Sequence, residues 1–282
     1  MSWKTVKNLL ILLLIAVNIL LAVFAFDYYT DSNFTSADTA AGAAKILEKS
    51  GLYVESGMLS VKNDTAPALY TSYDRETYVC LVAHLLFGKE PDGIYMLPHG
   101  VRAETLDGKT AYIGYDMSVE YTAGENISSA LENAKSADGE MTKAAREFLE
   151  EKFALAEGSI KESDCKVSGD CTFVTLGRAE RGLKLYGMEC TFGVRDGEIV
   201  YACGKYFFLT PTGEENAQLL DRVNIMFSEK ERGVRGTLES AELCYTLYEN
   251  ADSGLMLFIP SYALTYRDGT VHAVNGVSKK LY

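Results

Sequence analysis

The longest apolar run of the chain lies near its start, where residues 9–26 carry no charged side chain. At 1.5 Å per residue, a helix over this run is about 27 Å long, close to the hydrocarbon thickness of a bilayer. Two lysines precede the run and two aspartates follow it. Because excess Lys and Arg stay on the cytoplasmic side, the pattern predicts a single-pass cell-membrane protein with a cytoplasmic tail at 1–8 and the bulk of the chain extracytoplasmic.

A cleaved signal peptide is the alternative reading of the same run. Residues 23–25, Val-Phe-Ala, form an acceptable cleavage context behind a basic start. The apolar core of a signal peptide usually spans 7 to 15 residues, and this run is longer. The length therefore favours an uncleaved anchor, and both readings stay open at this point.

One face of the predicted membrane helix carries polar and small residues. Asn18 shares a helical stripe with Ala22 and Ala25. Lipid cannot satisfy an amide side chain, whereas a neighbouring helix can, and small residues let two helix backbones approach. The face favours contact with a partner helix; simple tolerance of one Asn in a long apolar run is the alternative.

The rest of the chain alternates between helical and strand-like hydrophobic periods, which predicts an α+β exterior. With 48% hydrophobic and 11% aromatic residues, it is neither disordered nor of low complexity. The predicted divisions are a linker at 27–35, a first α+β module at 36–122, a connector at 123–139, a second module at 140–209 and a third at 210–282.

Helix signals are clearest in the first module. A helix over 40–49 would be capped by Asp38 or Thr39, and a helix over 74–87 would end at Gly88. Strand-like alternation marks the other elements of this module, at 52–61, 93–96 and 110–115.

The second and third modules resemble each other under a shift of 72 positions. Their anchor points are Arg-Asp-Gly turn signals at 195–197 and 267–269, and each follows a predicted helix, at 140–153 and at 214–227. The pattern predicts a duplicated unit of one helix and an antiparallel sheet, although Asp-Gly is the commonest hairpin signal and one matched tripeptide can arise by chance. The predicted strands are 171–176, 183–194 and 198–209 in the first copy and 237–248, 255–266 and 270–277 in the second.

The Asp196-Gly197 turn predicts a cross-strand register for its hairpin. The resulting pairs are Val194 with Ile199, Phe192 with Tyr201 and Cys190 with Cys203. An extracytoplasmic location permits disulfides, so Cys190 and Cys203 are the candidate pair among six cysteines. The alternative is that they are buried apolar thiols, because a short slip of register would separate them.

Charge excludes one class of function, and motifs point to no chemistry. The formal net charge of −12, without a dense basic cluster, argues against nucleic acid binding.

The sequence contains three histidines, His84, His99 and His272, and none has the spacing of a metal-binding motif. His84 is expected on a helix side and His272 facing solvent. Residues 107–110 end like a phosphate-binding loop but lack its first glycine. The sequence therefore predicts no enzyme, no cofactor and no metal site.

Both ends of the chain are similar to one known family. The start, Trp3-Lys4-x-x-Lys7 before an apolar span with Asn18-Ile19-Leu20-Leu21, resembles that of the YycI (WalI) family of Gram-positive bacteria. The end resembles the closing hairpin of that family, a Pro-x-Tyr strand from Phe258 to Tyr266 that returns through a strand ending in Asn275-Gly276. The six cysteines are not part of this resemblance.

The resemblance implies a non-enzymatic accessory protein with one membrane helix and extracytoplasmic modules related to those of YycH. Such a protein would work with a YycH-like single-span partner to control the YycG (WalK) sensor histidine kinase of cell-wall homeostasis. Asn18, Ala22 and Ala25 are the residues that can be assigned a role, in contact between membrane helices.

Two other classes of function remain open from the sequence. One is an anchored or secreted binding module for a peptide or a cell-wall fragment, which would need an exposed aromatic groove. The other is an extracytoplasmic hydrolase, which would need Ser, His and Asp side chains to converge.

Overall fold

The computed structural model describes residues 14, 17–19, 35–60, 65–123, 127–153, 160–250 and 255–277, and the predicted α+β class is confirmed, with a mixed sheet. From residue 35 onward the helices are α1 (Ala37–Glu48), α2 (Ser56–Leu59), α3 (Arg75–Phe87), α4 (Ile127–Glu132), α5 (Gly139–Phe153) and α6 (Arg222–Glu231). The strands are β1 (Leu52–Tyr53), β2 (Ala68–Ser72), β3 (Gly93–Leu97), β4 (Gly100–Glu104), β5 (Thr110–Gly114), β6 (Ser118–Thr122), β7 (Lys135–Ser136), β8 (Ile160–Ser168), β9 (Cys171–Glu180), β10 (Leu183–Arg195), β11 (Glu198–Lys205), β12 (Gly213–Glu215), β13 (Gly236–Asn250), β14 (Leu255–Tyr266) and β15 (Val271–Asn275).

Most of the predicted membrane helix at 9–26 lies outside the described residues. The structure describes Leu14 and residues 17–19 of it, which are helical and exposed. No helix among the described residues is both long enough and apolar enough to cross a bilayer. The span, its orientation and the signal-peptide alternative therefore stay predictions.

The chain divides into two compact units that do not follow the three consecutive modules predicted from the sequence. The first unit is Met1–Thr65 with Gln218–Glu242 and Leu264–Ser278, and the second is Ala66–Ala217 with Leu243–Ala263 and Lys279–Tyr282. The reason lies in a parallel pairing of β1 with β13, which sets Leu52 opposite Gly236. A parallel pair joins segments far apart in sequence, so local patterns do not reveal it.

The first unit has its core between helices from both ends of the chain. The side chain of Ser36 caps α1 by accepting the N–H of Thr39 at 3.3 Å, in place of the predicted Asp38 or Thr39 cap. Leu47 of α1 is fully buried, and α1 contacts α6, where Ile225 is also buried. Burial of one such Leu or Ile side chain contributes about 1.5–3 kcal/mol, so this packing holds the two segments together.

The second unit is built on a sheet with the strand order β12-β2-β14-β13-β10-β11-β6-β5-β4-β3, extended from β10 by β9 and then β8. Helix α3 contacts β5 and β11, and α5 contacts β8 and β9. Because side chains alternate between faces along a strand, one cross-strand row lies on a single face. The row Ala103, Ala111, Tyr121, Ala202, Phe192 and Val174 is buried on one face of the sheet.

The Asp196-Gly197 turn is confirmed, whereas the register it predicted is wrong beyond the pair Val194 with Ile199. Asp196 and Gly197 have φ of +49° and +72°, as a two-residue hairpin turn requires. The observed pairs are Arg195 with Glu198, Val194 with Ile199, Phe192 with Ala202, Thr191 with Cys203 and Cys190 with Gly204. A bulge opposite Gly193 and Val194 inserts one extra residue, Val200, into β11, which moves every partner farther from the turn by one position.

The third module shows the largest difference from the predicted elements. Residues 213–215 form β12, and α6 begins only at Arg222, where the Asp221 carboxylate accepts the N–H of Asn224 at 2.7 Å. The first predicted copy has four strands after its helix and the second has three, divided between the two units. Among the described residues the two predicted copies therefore differ in strand number, and the duplication stays a prediction.

Three smaller corrections concern the remaining elements. The strand predicted over 52–61 ends at Tyr53 and is followed by α2. The connector at 123–139 contains α4 and β7, and the strand β8 was not predicted.

The helix predicted over 74–87 is confirmed as Arg75–Phe87, with Asp74 as its N-cap and Gly88 in the left-handed conformation at its end.

Candidate interaction surface

Strand β3 is an edge strand with apolar side chains exposed on both of its faces. Its sequence is Gly-Ile-Tyr-Met-Leu, and it pairs with β4 without a register shift at the end of the strand order. The exposed fractions of its large side chains are 42% for Ile94, 53% for Tyr95, 60% for Met96 and 40% for Leu97. An edge strand also presents unpaired backbone N–H and C=O groups, so β3 offers both apolar and hydrogen-bonding contacts.

A groove runs between β3 and helix α3 on the helix-covered face of the sheet. Apolar side chains of α3, β3 and β4 line it, and its cavity has a volume of about 260 Å³. The lining residues are Arg75, Glu76, Val79, Cys80, Ile94, Met96, Val101 and Tyr115. The groove exists because α3 contacts the more central strands β5 and β11, while β3 lies beyond them at the edge of the sheet.

Arg75, one of the residues that line this groove, is held in place by an ion pair. Its Nε and Nη2 donate to the two carboxylate oxygens of Glu249 at 3.0 and 2.8 Å, and its guanidinium lies 4.9 Å from the ring centre of Tyr115. The hydroxyl of Tyr73 also donates to Glu249, at 3.1 Å. The Arg75 hydrogen bonds lower the pKa of the Glu249 carboxyl, so this pair is ionised at neutral pH.

The opposite face of the sheet is polar and partly open. Cross-strand neighbours form one row on this face, Tyr95, Arg102, Tyr112, Glu120 and Cys203. Beside this row lies an open groove of about 330 Å³, which Tyr201 also lines. Burial and the nearby Cys203 raise the pKa of Tyr201 to about 12, so its phenol is neutral.

A buried carboxylate in the first unit forms a cluster that sequence reasoning missed. Glu229 of α6 is fully buried. Its Oε2 accepts from the Tyr266 hydroxyl at 3.2 Å and lies 2.6 Å from Nδ1 of His272, and its Oε1 accepts from Arg232 at 3.1 Å. The signal was present in the sequence, because Glu229 lies four positions after the buried Ile225 on the same helical face.

This cluster links helix α6 to the last hairpin, β14–β15. His272 is part-buried against Glu229 and does not simply face solvent as predicted, and burial with the neighbouring carboxylate raises the pKa of Tyr266. A His–carboxylate pair can serve catalysis or metal binding, but no group of metal ligands occurs among the described residues.

The other two histidines lie outside this cluster. Nδ1 of His84 in α3 lies 3.5 Å from Oε1 of Glu90, and the backbone oxygen of His99 accepts a hydrogen bond from the Tyr112 hydroxyl.

The sequence-predicted residues are not brought together into one site. Asn18 is helical and exposed, and Ala22 and Ala25 lie outside the described residues, so the helix-contact face stays a prediction. Cys190 is buried and Cys203 is exposed, and neither is disulfide-bonded in the structure. The bulge that moves their register removes the geometric basis of the predicted pair, and burial raises the pKa of the Cys190 thiol.

Comparison with known proteins adds little to this description. No family model matches the chain, and no curated protein matches it. Among solved structures, the Bacillus megaterium YpeB C-terminal domain is similar over 86% of this chain and 100% of its own, with 12% sequence identity and a TM-score of 0.25. A likeness at that TM-score carries no functional argument.

Proposed function

We propose that this chain is an accessory protein that acts by binding another protein rather than by catalysis. The observation that carries the proposal is strand β3, an uncharged edge strand whose four large side chains are each at least 40% exposed. Exposed apolar patches of this kind are typical of protein–protein contact sites. The adjoining groove beside α3 adds a concave apolar surface to the same edge.

The finer proposal is a membrane-anchored regulator of a sensor histidine kinase, of the kind that the likeness to the YycI family implies. Its support comes from the sequence: the charge-free run at 9–26, the small and polar face with Asn18, and the motifs at the two ends of the chain. In this proposal the partners are a YycH-like single-span protein and a YycG-like kinase, contacted through the extracytoplasmic surface and through membrane helices.

A second candidate function is an anchored or secreted binding module for a peptide or cell-wall fragment. The observation that favours it is the open groove of about 330 Å³ on the polar face of the sheet, where tyrosines, Arg102 and Glu120 lie together. Aromatic rings beside charged groups suit the binding of polar polymers. In this case the ligand would occupy the face of the sheet and leave β3 uncovered.

The test is crosslinking of the tagged full-length chain in intact membranes of a Gram-positive host, followed by identification of what co-purifies. Tyr95→Lys places a charge on the edge strand and should lower partner recovery about tenfold, because lysine on an edge opposes strand pairing. Tyr248→Lys is the matched control, since Tyr248 is 57% exposed and Tyr95 is 53% exposed. Replacement of Asn18 and Ala22 by Leu should separately weaken the kinase crosslink.

Recovery of a sensor kinase and a second single-span protein, lost with Tyr95→Lys and kept with Tyr248→Lys, is the expected result. Release of an uncrosslinked monomer into the medium would overturn the membrane-anchored proposal and favour the secreted binding module.

A further inference from the structure

The two edge strands at the ends of the strand order in the second unit differ in how strongly they oppose the addition of another strand. One end is β12, a three-residue strand in which Glu214 and Glu215 are both exposed. Short, charged edges of this kind discourage the addition of a further strand. The other end is β3, which has five residues and neither charge, proline nor bulge. Of these two ends, β3 is the one whose composition permits strand addition.

The side chains of β3 also define what an added strand must carry. Ile94 and Met96 lie on the groove side with Val101, whereas Tyr95 lies in the polar row with Arg102 on the opposite side. An added strand would place alternate side chains on these two faces. Those on the groove side would lie beside the exposed side chains of Ile94 and Met96, so an aliphatic residue suits that position.

Charges near the start of β3 favour a basic partner segment. Glu90 has an 80% exposed side chain, and Asp92 and Asp107 lie close by. The ammonium of Lys89 is held by Asp107 at 2.9 Å, which leaves this corner with a negative charge. An added strand with a basic residue beside this corner would be attracted to it, whereas an acidic residue would be repelled.

The size of the surface distinguishes a peptide segment from a second copy of this chain. The exposed patch of β3 consists of four large side chains, whereas a standard-size interface uses about 20–30 residues from each partner. Stable dimers bury about 1,200–2,000 Å² or more. Strand addition by a peptide needs less area, because backbone hydrogen bonds supply much of the affinity.

We infer that β3 binds an extended segment of a partner protein as an added strand, with aliphatic side chains directed towards the α3 groove and a basic residue beside Glu90 and Asp92. This inference rests on the proposed function, for which it names the mode of binding and the chemistry of the partner. The partner segment contributes about five uncharged residues of high β-propensity, followed or preceded by the basic one.

The test uses the full-length chain in nanodiscs and a fluorescein-labelled peptide of seven alternating valines and threonines with a lysine at each end. Fluorescence anisotropy measures binding to the wild type, to Tyr95→Lys and to the matched Tyr248→Lys. Two control peptides carry N-methyl groups on the backbone nitrogens of alternate residues, so that each peptide is blocked along one of the two edges of the strand. A third control peptide carries glutamates in place of the lysines. Hydrogen exchange across residues 93–97 reports where the peptide binds.

Saturable binding to the wild type and to Tyr248→Lys, with slower hydrogen exchange in β3, is the expected result. One of the two N-methylated peptides should bind about tenfold more weakly, since two or more backbone hydrogen bonds are lost. Tyr95→Lys should weaken binding by about the same factor, because it places a charge on the edge strand. The glutamate peptide should bind more weakly than the lysine peptide, and the difference should shrink at high salt.

Equal binding of all the peptides, or no binding of the lysine peptide at millimolar concentration, would overturn the inference. A concentration-dependent dimer that only Tyr95→Lys dissociates would also overturn it and would assign β3 to self-association. These failures are distinct from failure of the proposed function, because the kinase and single-span partner are recovered or lost in the membrane crosslinking experiment independently of peptide binding.

Discussion

Glu229 is an acidic side chain in a fully buried position, where it has hydrogen-bond partners from three parts of the first unit. Arg232 follows it at the end of α6, Tyr266 ends β14 and His272 belongs to β15. A buried carboxylate is tolerated when its oxygens are hydrogen-bonded, and removing the acceptor leaves its donors without a partner.

At the residue scale, we therefore predict that Glu229→Ala lowers the free energy of unfolding by about 3 kcal/mol. Urea denaturation of the full-length chain in detergent, followed by circular dichroism, measures this. Glu231→Ala is the control, because Glu231 is exposed on the same helix and should cost less than about 0.5 kcal/mol. Equal losses from the two variants would contradict the role assigned to the cluster.

At the element scale, the turn between β5 and β6 is held by a carboxylate that ties it to β11. Asp116 accepts from the N–H of Ser118 at 3.2 Å and its hydroxyl at 2.6 Å, and from Lys205 at 2.6 Å. These hydrogen bonds hold the pKa of Asp116 at about 2. The unfolded value is about 3.9, so the carboxylate stabilises the fold above about pH 4 and loses this effect as the pH falls through about 2.

Asp116→Asn should thus be less stable than the wild type at pH 6, by less than about 1 kcal/mol because the pair is exposed. The difference should disappear as the pH falls from 4 to 2. Thermal or urea unfolding at a series of pH values measures it. A pH-independent difference for Asp116→Asn would refute the assignment.

At the scale of the whole molecule, the two units predict how a local defect spreads. Leu47 is fully buried in the first unit, whereas its neighbour Ile46 is 48% exposed on the same helix. Leu47→Ala should cost about 2–5 kcal/mol and Ile46→Ala much less. Because α1 and α6 belong to one unit, the loss should appear in both helices.

Hydrogen exchange with mass spectrometry measures this spread. We expect Leu47→Ala to speed exchange in residues 37–48 and in residues 222–231, and Ile46→Ala to leave both nearly unchanged. Faster exchange confined to residues 36–122 would instead support the three consecutive modules predicted from the sequence.

Elements with strong local signals were predictable. Helix α3 begins after a capping Asp74 and ends at Gly88, and both signals act within one helical turn. The hairpin at Asp196 and Gly197 likewise follows from the positive φ that these two residues accept. The candidate interaction surface was not recognised as such, although β3 itself was predicted at 93–96, because a strand pattern does not tell an edge strand from a central one.

By itself, the sequence determined the α+β class, the capped helices and the hairpin turns, because these depend on residues within a few positions of one another. It also carries the charge-free run at 9–26 and the end motifs on which the proposed regulatory function rests. Only the tertiary structure decided the β10–β11 register on the far side of Val194 from the turn, the burial of Glu229, the pairing of β1 with β13 and the position of β3 as an edge strand. Each of these depends on which distant segments meet, and a one-residue bulge or one parallel pair changes that outcome without altering any local pattern.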